Sequence, residues 1–377
     1  MQFVSASNCC LVKLTTAIAA VFLCLPALAS EPVQIFDRGA YFSVVLDGTE
    51  TCPRLVGESY GRAIREKVPQ FEKLWDSYVS EYGGNFIVYH LALRRVRQMR
   101  KQIQPRYRAE IDGIASQLSG GRKNKAGDGK VSRDELYLLN LIGDVSRMNQ
   151  CCAVSVFGEK SQDGQTICGR NLDWPDGRGH QLAQLQAVIT CKNNENSVVS
   201  IACIGFQGVA TGFNNSGVFA GVLDSGTGTK YTARKRRSYM FDLRDALEHS
   251  NCLEAVASKM TEPKRKYAFN HLIMLADRQH GAVLENNFSG KGDQVRRCLR
   301  HSDSLLNPGI TWDEKDAVGA VNCFALKGNC DNHIHPLDWS AVKKGALNRD
   351  INSPRWQSLK SQLSKSGNSV STDGVKS

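Results

Sequence analysis

The chain predicts an α+β fold in which antiparallel strands are layered with helices, and three observations lead there. Residues 55–118 carry apolar positions at helical spacing, through Leu91, Leu93, Val96 and Met99. From Cys151 onward the pattern changes to short apolar runs separated by turn residues. Helical periods then return over Phe241–Met260 and near Ser353-Pro354-Arg355. Alternating blocks of this kind bury best as sheets covered by helices.

Residues 1–30 read as an export signal. Lys13 is their only charge, Leu14–Leu25 is apolar or small, and Ala27-Leu28-Ala29 offers a small-x-small cleavage pattern. An N-terminal anchor is the alternative, although the apolar core is short for a membrane span. Removing these residues leaves chain enough for one large domain or two smaller ones. The expected localisation is secreted or periplasmic, with no stable membrane span.

The net charge of +11 is spread along the chain, with one dense run at Arg234-Lys235-Arg236-Arg237. That run lies in a Gly/Thr/Ser-rich stretch and reads as a solvated loop, so no nucleic-acid partner is expected. Of 13 cysteines, Cys9, Cys10 and Cys24 belong to the signal. The others are too sparse for a disulfide scaffold, and no CxxC repeat suggests zinc. Cys191 and Cys203 read as buried small hydrophobes, and Cys323 and Cys330 can bridge a short loop in an oxidising compartment. No metal and no cofactor is expected.

In chain order, residues 31–50 look extended, with alternation over Tyr41–Leu46. A Gly/Lys/Asn-rich loop follows the helical region. Its Asp128-Gly129-Lys130-Val131-Ser132 and Glu135 imitate half of a calcium loop, but Ala126 falls where an oxygen ligand is needed. Ser132 and Glu135 fit a capping box better, opening a helix through about Val145. Strands are expected at Leu185–Cys191, Val198–Ile204, Val209–Gly212 and Val218–Leu223. One helix is expected over Phe241–Met260, then a hairpin of Asn270–Leu275 with Ala282–Glu285. Asn270, His271 and Glu285 read as fold positions rather than catalysts. The divisions that follow are residues 1–30 as signal, 31–150 as a helical segment, 151–362 as the strand-rich part and 363–377 as a disordered tail.

The chemistry concentrates around Cys151-Cys152-Ala153-Val154-Ser155-Val156-Phe157-Gly158, Asp163-Gly164 and Gly169-Arg170-Asn171-Leu172-Asp173-Trp174. Asp-Gly is a strong hairpin signal, so the second strand should end beside the start of the first. A thiol, a fixed positive charge and a carboxylate then lie within reach of one another, as a cysteine nucleophile requires. None of the 8 histidines sits in a recognisable signature, so a papain-like Cys–His pair is the weaker alternative.

These residues resemble the N-terminal-nucleophile (Ntn) hydrolases, in the branch of choloylglycine hydrolases, acid ceramidases and penicillin acyltransferases. The resemblance runs from about Gly57 to Leu359 and is sharpest in patches. Besides Gly169–Trp174, these are Gly212–Val218, Leu243–Leu247, Asn270–Glu285, Val321–Phe324 and Ser353–Trp356. It implies a four-layer αββα sandwich and autocatalytic cleavage between Gln150 and Cys151, with residues 31–150 staying associated as an α-chain. Arg170 would favour the thiolate and Asp173 would orient the new amine. Asn322 matches a family asparagine that can donate to an oxyanion, and Arg355 a family arginine that anchors the site. Asn214, at the family's strand start, and Asp224 are the further candidates for substrate or oxyanion binding. Asp224 falls where choloylglycine hydrolases carry the oxyanion asparagine, so a backbone N–H can serve there instead. The register to Gly158 and Asp163-Gly164 favours Cys151 over Cys152 as nucleophile, with the two thiols on opposite strand faces.

The expected function is an exported, self-processing thiol Ntn hydrolase. It would cleave a linear amide of a small N-acyl compound, or transfer its acyl group, through a Cys151 acyl-enzyme. A homo-oligomer is left open. A non-catalytic exported binding protein that retains the fold is the alternative of another class.

Overall fold

The structure is a computed structural model that describes residues 31–49, 51–83, 86–146, 150–225, 232–287, 296–329, 352–367 and 370–372. Residues 1–30, read from sequence as an export signal, Cys330 of the possible Cys323–Cys330 bridge and the last five residues lie outside the described residues. From Pro32 onward the chain belongs to one compact unit.

The segment ahead of Cys151 is not purely helical. Strands β1 (Val33–Asp37) and β2 (Phe42–Asp47) form an antiparallel pair that buries Val33, Ile35, Phe42, Val44 and Leu46 on one face. Helices α1 (Pro53–Lys67), α2 (Phe71–Gly83), α3 (Phe86–Arg100) and α4 (Pro105–Gln117) follow, with proline opening α1 and α4, where a missing N–H costs nothing. Helices α1 and α4 approach until their backbones touch. A Cβ on Gly57 would lie 2.0 Å from the Glu110 carbonyl oxygen, and one on Gly113 2.4 Å from that of Arg54.

Helix α5 (Arg133–Asn140) opens with the expected capping box. Ser132 Oγ accepts from the Glu135 N–H, and Glu135 accepts from the Ser132 N–H at 2.7 Å. Asp128 likewise caps the Lys130 N–H, so the calcium-like carboxylates serve the backbone. The helix stops before Val145 because Asn140 turns to the 205–207 bend, donating to Gly205 O and accepting from the Gln207 N–H. A short α6 (Ile142–Val145) follows.

Two sheets carry the rest. Strands β3 (Gln150–Val156), β4 (Ile167–Asp173) and β12 (Ala317–Ala320) form a small antiparallel sheet in the order β12-β3-β4. The large sheet takes β5 (Gln186–Lys192), β6 (Val198–Cys203), β7 (Thr211–Asn214), β8 (Phe219–Asp224), β9 (His271–Ala276), β10 (Gly281–Asn286) and β11 (Arg297–Arg300). They continue from β1 and β2 in the order β1-β2-β5-β6-β7-β8-β9-β10-β11. Among the described strand pairings of this sheet only β2–β5 is parallel, so residues 31–50, expected to be extended, supply two of its strands ahead of the helices.

Alternation along β9 places the sheet between two apolar layers. Ile273 and Leu275 pack with Leu243, Leu247, Val256 and Met260 of α7 (Tyr239–Glu248) and α8 (Leu253–Met260). Leu272 and Met274 pack with Cys151, Ala153, Val318 and Ala320 of the small sheet. On the far side of the small sheet, Trp356 and Leu363 of α9 (Asn352–Lys365) pack against Val321 and against Val156 and Ala317.

The helix expected over Phe241–Met260 breaks after Glu248, because Asn214 Nδ2 donates to both Leu247 O and Ser250 O at 2.8 Å. The expected tail boundary at 362 falls inside α9. Beyond the helix, buried Val370 exchanges 3.0 Å bonds with Lys160 O and the Gln162 N–H. In the basic run, Arg237 pairs with Asp242 at 2.7 Å.

Buried charges tie distant segments together. Arg244 of α7 meets Glu110 of α4 at 2.6 Å and Glu248 at 2.9 Å. Glu285 accepts from Arg300 Nε, the Ala325 N–H and Asn329 Nδ2, each within 2.9 Å. Replacing Glu285 by Ala strands Arg300 and those donors in the core, and should cost about 3–5 kcal/mol in denaturant unfolding; a loss under about 1 kcal/mol would contradict this.

Asp144 of α6 is fully buried, and burial pushes its carboxyl from 3.8 up to about 8, despite bonds from Ser238 Oγ and the Tyr239 N–H. The folded state therefore holds a proton that the unfolded chain releases near pH 4. This stabilises the fold at low pH and fades as pH rises toward about 8. Melting temperatures at about pH 5 and pH 8 should diverge more for the wild type than for Asp144→Asn. Equal differences would refute the assignment.

Candidate active site

The site begins in the pairing of β3 with β4. Cys151 lies opposite Leu172, Ala153 opposite Arg170 and Ser155 opposite Cys168. Directly opposed residues share a face, so the Cys151 thiol and the Arg170 guanidinium both point toward the large sheet. Cys152 points the other way, into the cluster of Val321 and Trp356. The hairpin turns through Asp163-Gly164, where Gly164 has φ +68° and needs no Cβ.

Arg170 crosses from the small sheet to the large one. Its Nη2 lies 3.8 Å from Cys151 Sγ and donates to Val222 O, and its Nη1 donates to Thr211 Oγ1. Gly221 makes room for the stem, since a Cβ there would sit 2.8 Å from Arg170 Cδ.

The Cys151 peptide is held at both ends. Its N–H donates to Asn322 Oδ1 at 2.7 Å, and its carbonyl accepts from Arg355 Nη2. Arg355 Nη1 also donates to Asn322 Oδ1 at 3.0 Å, and Asn322 Nδ2 donates to the Asp224 carbonyl at 2.7 Å. A carboxamide carries two N–H donors, so Asn322 retains one for a ligand. Asn352 fixes Asn322 in turn, accepting from its N–H at 3.1 Å.

Of the residues expected from sequence, Cys151, Arg170, Asn322 and Arg355 therefore converge. Asp173 lies opposite Gln150 at the exposed end of β4, on the face away from the thiol, and its Oδ1 accepts from Asn171 at 2.9 Å. It thus flanks the Gln150–Cys151 bond, but in the intact chain Asn322 rather than Asp173 holds the Cys151 nitrogen. Asp224 contributes main chain. Its N–H reaches the Cys151 sulfur and its carbonyl binds Asn322, while alternation puts its side chain on the face of Ala220 and Val222.

Asn214 is corrected. It lies on the opposite face of β7 from Thr211 and caps the α7–α8 junction, accepting from the Val218 N–H at 2.9 Å. Sequence reasoning missed Thr211, Gly221 and Asn352. Only Asn352 carried a signal, as a polar residue just ahead of the Ser-Pro-Arg helix start.

Burial pushes the Cys151 thiol up from its usual range, opposed first by Arg170 and then by the Asp224 N–H. The intact chain therefore holds a protonated thiol beside a fixed cation, directly after a peptide bond clamped on its far side.

No family profile and no curated protein sequence matches the chain. Among solved structures it is similar to a Caenorhabditis elegans N-acylethanolamine-hydrolyzing acid amidase ortholog. That alignment has 16% identity over 60% of this chain and 84% of that one, with a TM-score of 0.40. Two engineered forms of conjugated bile acid hydrolase from Clostridium perfringens align at 16% and 11% identity, with TM-scores of 0.26 and 0.21. They cover 36% and 42% of this chain and 47% and 44% of those chains, so the chain spans less than half of either bile acid hydrolase.

Replacing Arg170 by Met removes the cation nearest the thiol and should move its titration to higher pH. The pH dependence of Cys151 alkylation, followed by peptide mapping, checks this. An unmoved midpoint would show that Arg170 does not act on the sulfur.

Proposed function

We propose that the chain is a self-processing thiol hydrolase of the Ntn type that cleaves a linear carbon–nitrogen amide. The observation that carries this reading is the double clamp on the Cys151 peptide, with N–H on Asn322 and carbonyl on Arg355, beside a guanidinium 3.8 Å from the thiol. A structural cysteine needs none of these. The two facing sheets with helices outside each support the four-layer αββα arrangement.

Self-processing starts with attack of Cys151 Sγ on the Gln150 carbonyl carbon. The C–S bond forms, the Gln150–Cys151 C–N bond breaks, and the thiol proton passes to the departing nitrogen. Water then hydrolyses the thioester, leaving a carboxylate on Gln150 and a free amine and thiol on Cys151. With an ordinary α-amino pKa of about 7.7–8.0, that amine can accept the thiol proton during later turnovers.

In turnover the same sulfur attacks the substrate carbonyl, and the remaining Asn322 N–H would receive the developing oxyanion, joined by the Asp224 N–H once the sulfur is bonded to carbon. The Cys151 amine hands its proton to the leaving amine. Water, or a second amine in acyl transfer, then takes the acyl group. Asp173, opposite Gln150, becomes the nearest carboxylate to the new amine on that strand.

The mature chain should run as two polypeptides split at Gln150/Cys151 in denatured intact-mass measurement, and Cys151→Ala as one. The variant should lose amide turnover by at least about a thousandfold. A cut one residue later would transfer the role to Cys152. One uncut chain in both proteins, with an N-acyl amide bound but not turned over, would favour a binding protein that retains the fold.

A further inference from the structure

Cys152 lies one residue beyond the nucleophile, on the other face of β3, and the proposed chemistry gives it no task. Its side chain packs against the cluster of Val321, Ala325 and Trp356, and so does that of Cys323. Both residues are partly buried and both carry thiols in the structure. Backbone pairing brings them together. Ala153 lies opposite Ala320, so the same register continued by one step sets Cys152 against Val321. The Cys323 N–H then donates to Val321 O at 2.7 Å, closing a three-residue turn about Asn322 that brings Cys323 back beside Val321.

A disulfide joins only near neighbours, with Cα atoms about 4.4–6.8 Å apart. Two other pairs of cysteines share an apolar cluster and fail this limit. Cys151 and Cys168 lie opposite Leu172 and Ser155, which sets them four positions apart along β3 and β4, or roughly 13 Å. Cys191 and Cys203 lie opposite Val198 and Gln186, five positions apart along β5 and β6, or roughly 17 Å.

We propose that Cys152 and Cys323 form a disulfide that ties the start of β3 to the Asn322 turn. The bond forms by exchange with a small disulfide such as oxidised glutathione. The Cys152 thiolate attacks one of its sulfurs and expels a thiolate, giving a mixed disulfide. The Cys323 thiolate then attacks the Cys152 sulfur and expels the second thiolate. Two cysteine thiols thus lose two electrons and two protons, and the small disulfide becomes two thiols. The bridge closes a long loop of chain and so constrains the unfolded state strongly. Its position also serves the proposed function, on which this one role rests. A cut between Gln150 and Cys151 makes Cys151 a chain end, and chain ends fray. A covalent bond one residue further in holds that end against Asn322, whose Oδ1 meets the Cys151 nitrogen.

The test is to equilibrate the chain from residue 31 onward with oxidised and reduced glutathione, alkylate the remaining thiols at acid pH and map the unreduced peptides by mass spectrometry. A peptide pair linked through Cys152 and Cys323, and absent from Cys323→Ser, is the expected result. Reduction should lower the melting temperature of the wild type by about 5 °C and leave that of Cys323→Ser unchanged. Amide exchange over residues 151–155 should quicken about tenfold when the wild type is reduced, with no such change in the variant. A link from Cys323 to Cys330, or alkylation of both Cys152 and Cys323, would overturn the proposal, as would a bridge whose reduction leaves exchange unaltered. A single uncut chain that still carries the Cys152–Cys323 link would count against self-cleavage and not against the bridge.

Discussion

The hydrogen bond from the Cys151 N–H to Asn322 Oδ1 is the contact on which the rest of the site depends. It joins the first residues of β3 to a segment that lies 171 residues further along the chain. Through Asn322 the same contact reaches the end of β8 at Asp224 and the start of α9 at Asn352 and Arg355. Four distant stretches of backbone are thus fixed around one thiol without a histidine or a metal ligand among them. Each bond is modest alone, but a buried network of several such bonds leaves few alternative arrangements.

Asn322 can hold this position because the segment that carries it is itself clamped. Arg300 donates to Gly319 O at 2.7 Å on one side, and Glu285 accepts from the Ala325 and Leu326 N–H groups on the other. The Glu285–Arg300 pair between them is fully buried. Its value lies in geometry more than in net stability, since well-packed apolar residues can replace a buried ion pair with little loss. Carbon side chains could not accept from the two backbone N–H groups of Ala325 and Leu326.

Cleavage at Gln150/Cys151 would leave two chains that have strong reason to stay together. Strand β2 is hydrogen-bonded into the large sheet between β1 and β5, and α1 and α4 share its core. The Arg244 network joins α4 to α7 across the same divide, with Tyr107 of α4 donating to Glu248 at 2.6 Å. Separation would expose a sheet edge, an apolar layer and buried charges at once.

The sequence by itself determined the local geometry. Residue parity along β3 and β4 puts the Cys151 thiol and Arg170 on one face and Cys152 on the other, because a strand repeats every two residues once its turn is set by Asp163-Gly164. The capping box at Ser132 and the helix start near Ser353-Pro354-Arg355 were legible for the same reason, since their partners lie within a few positions. Whatever depends on distant partners was not. Asn214 and Asn322 are both candidate site asparagines in the sequence, yet one caps a helix junction and the other holds the Cys151 nitrogen. The break after Glu248, the parallel pairing of β2 with β5, and Asp224 acting through its main chain belong to the same class. Tertiary structure alone decided these, because an amide or carboxylate takes its role from the backbone groups brought to it, and no short stretch of sequence specifies those.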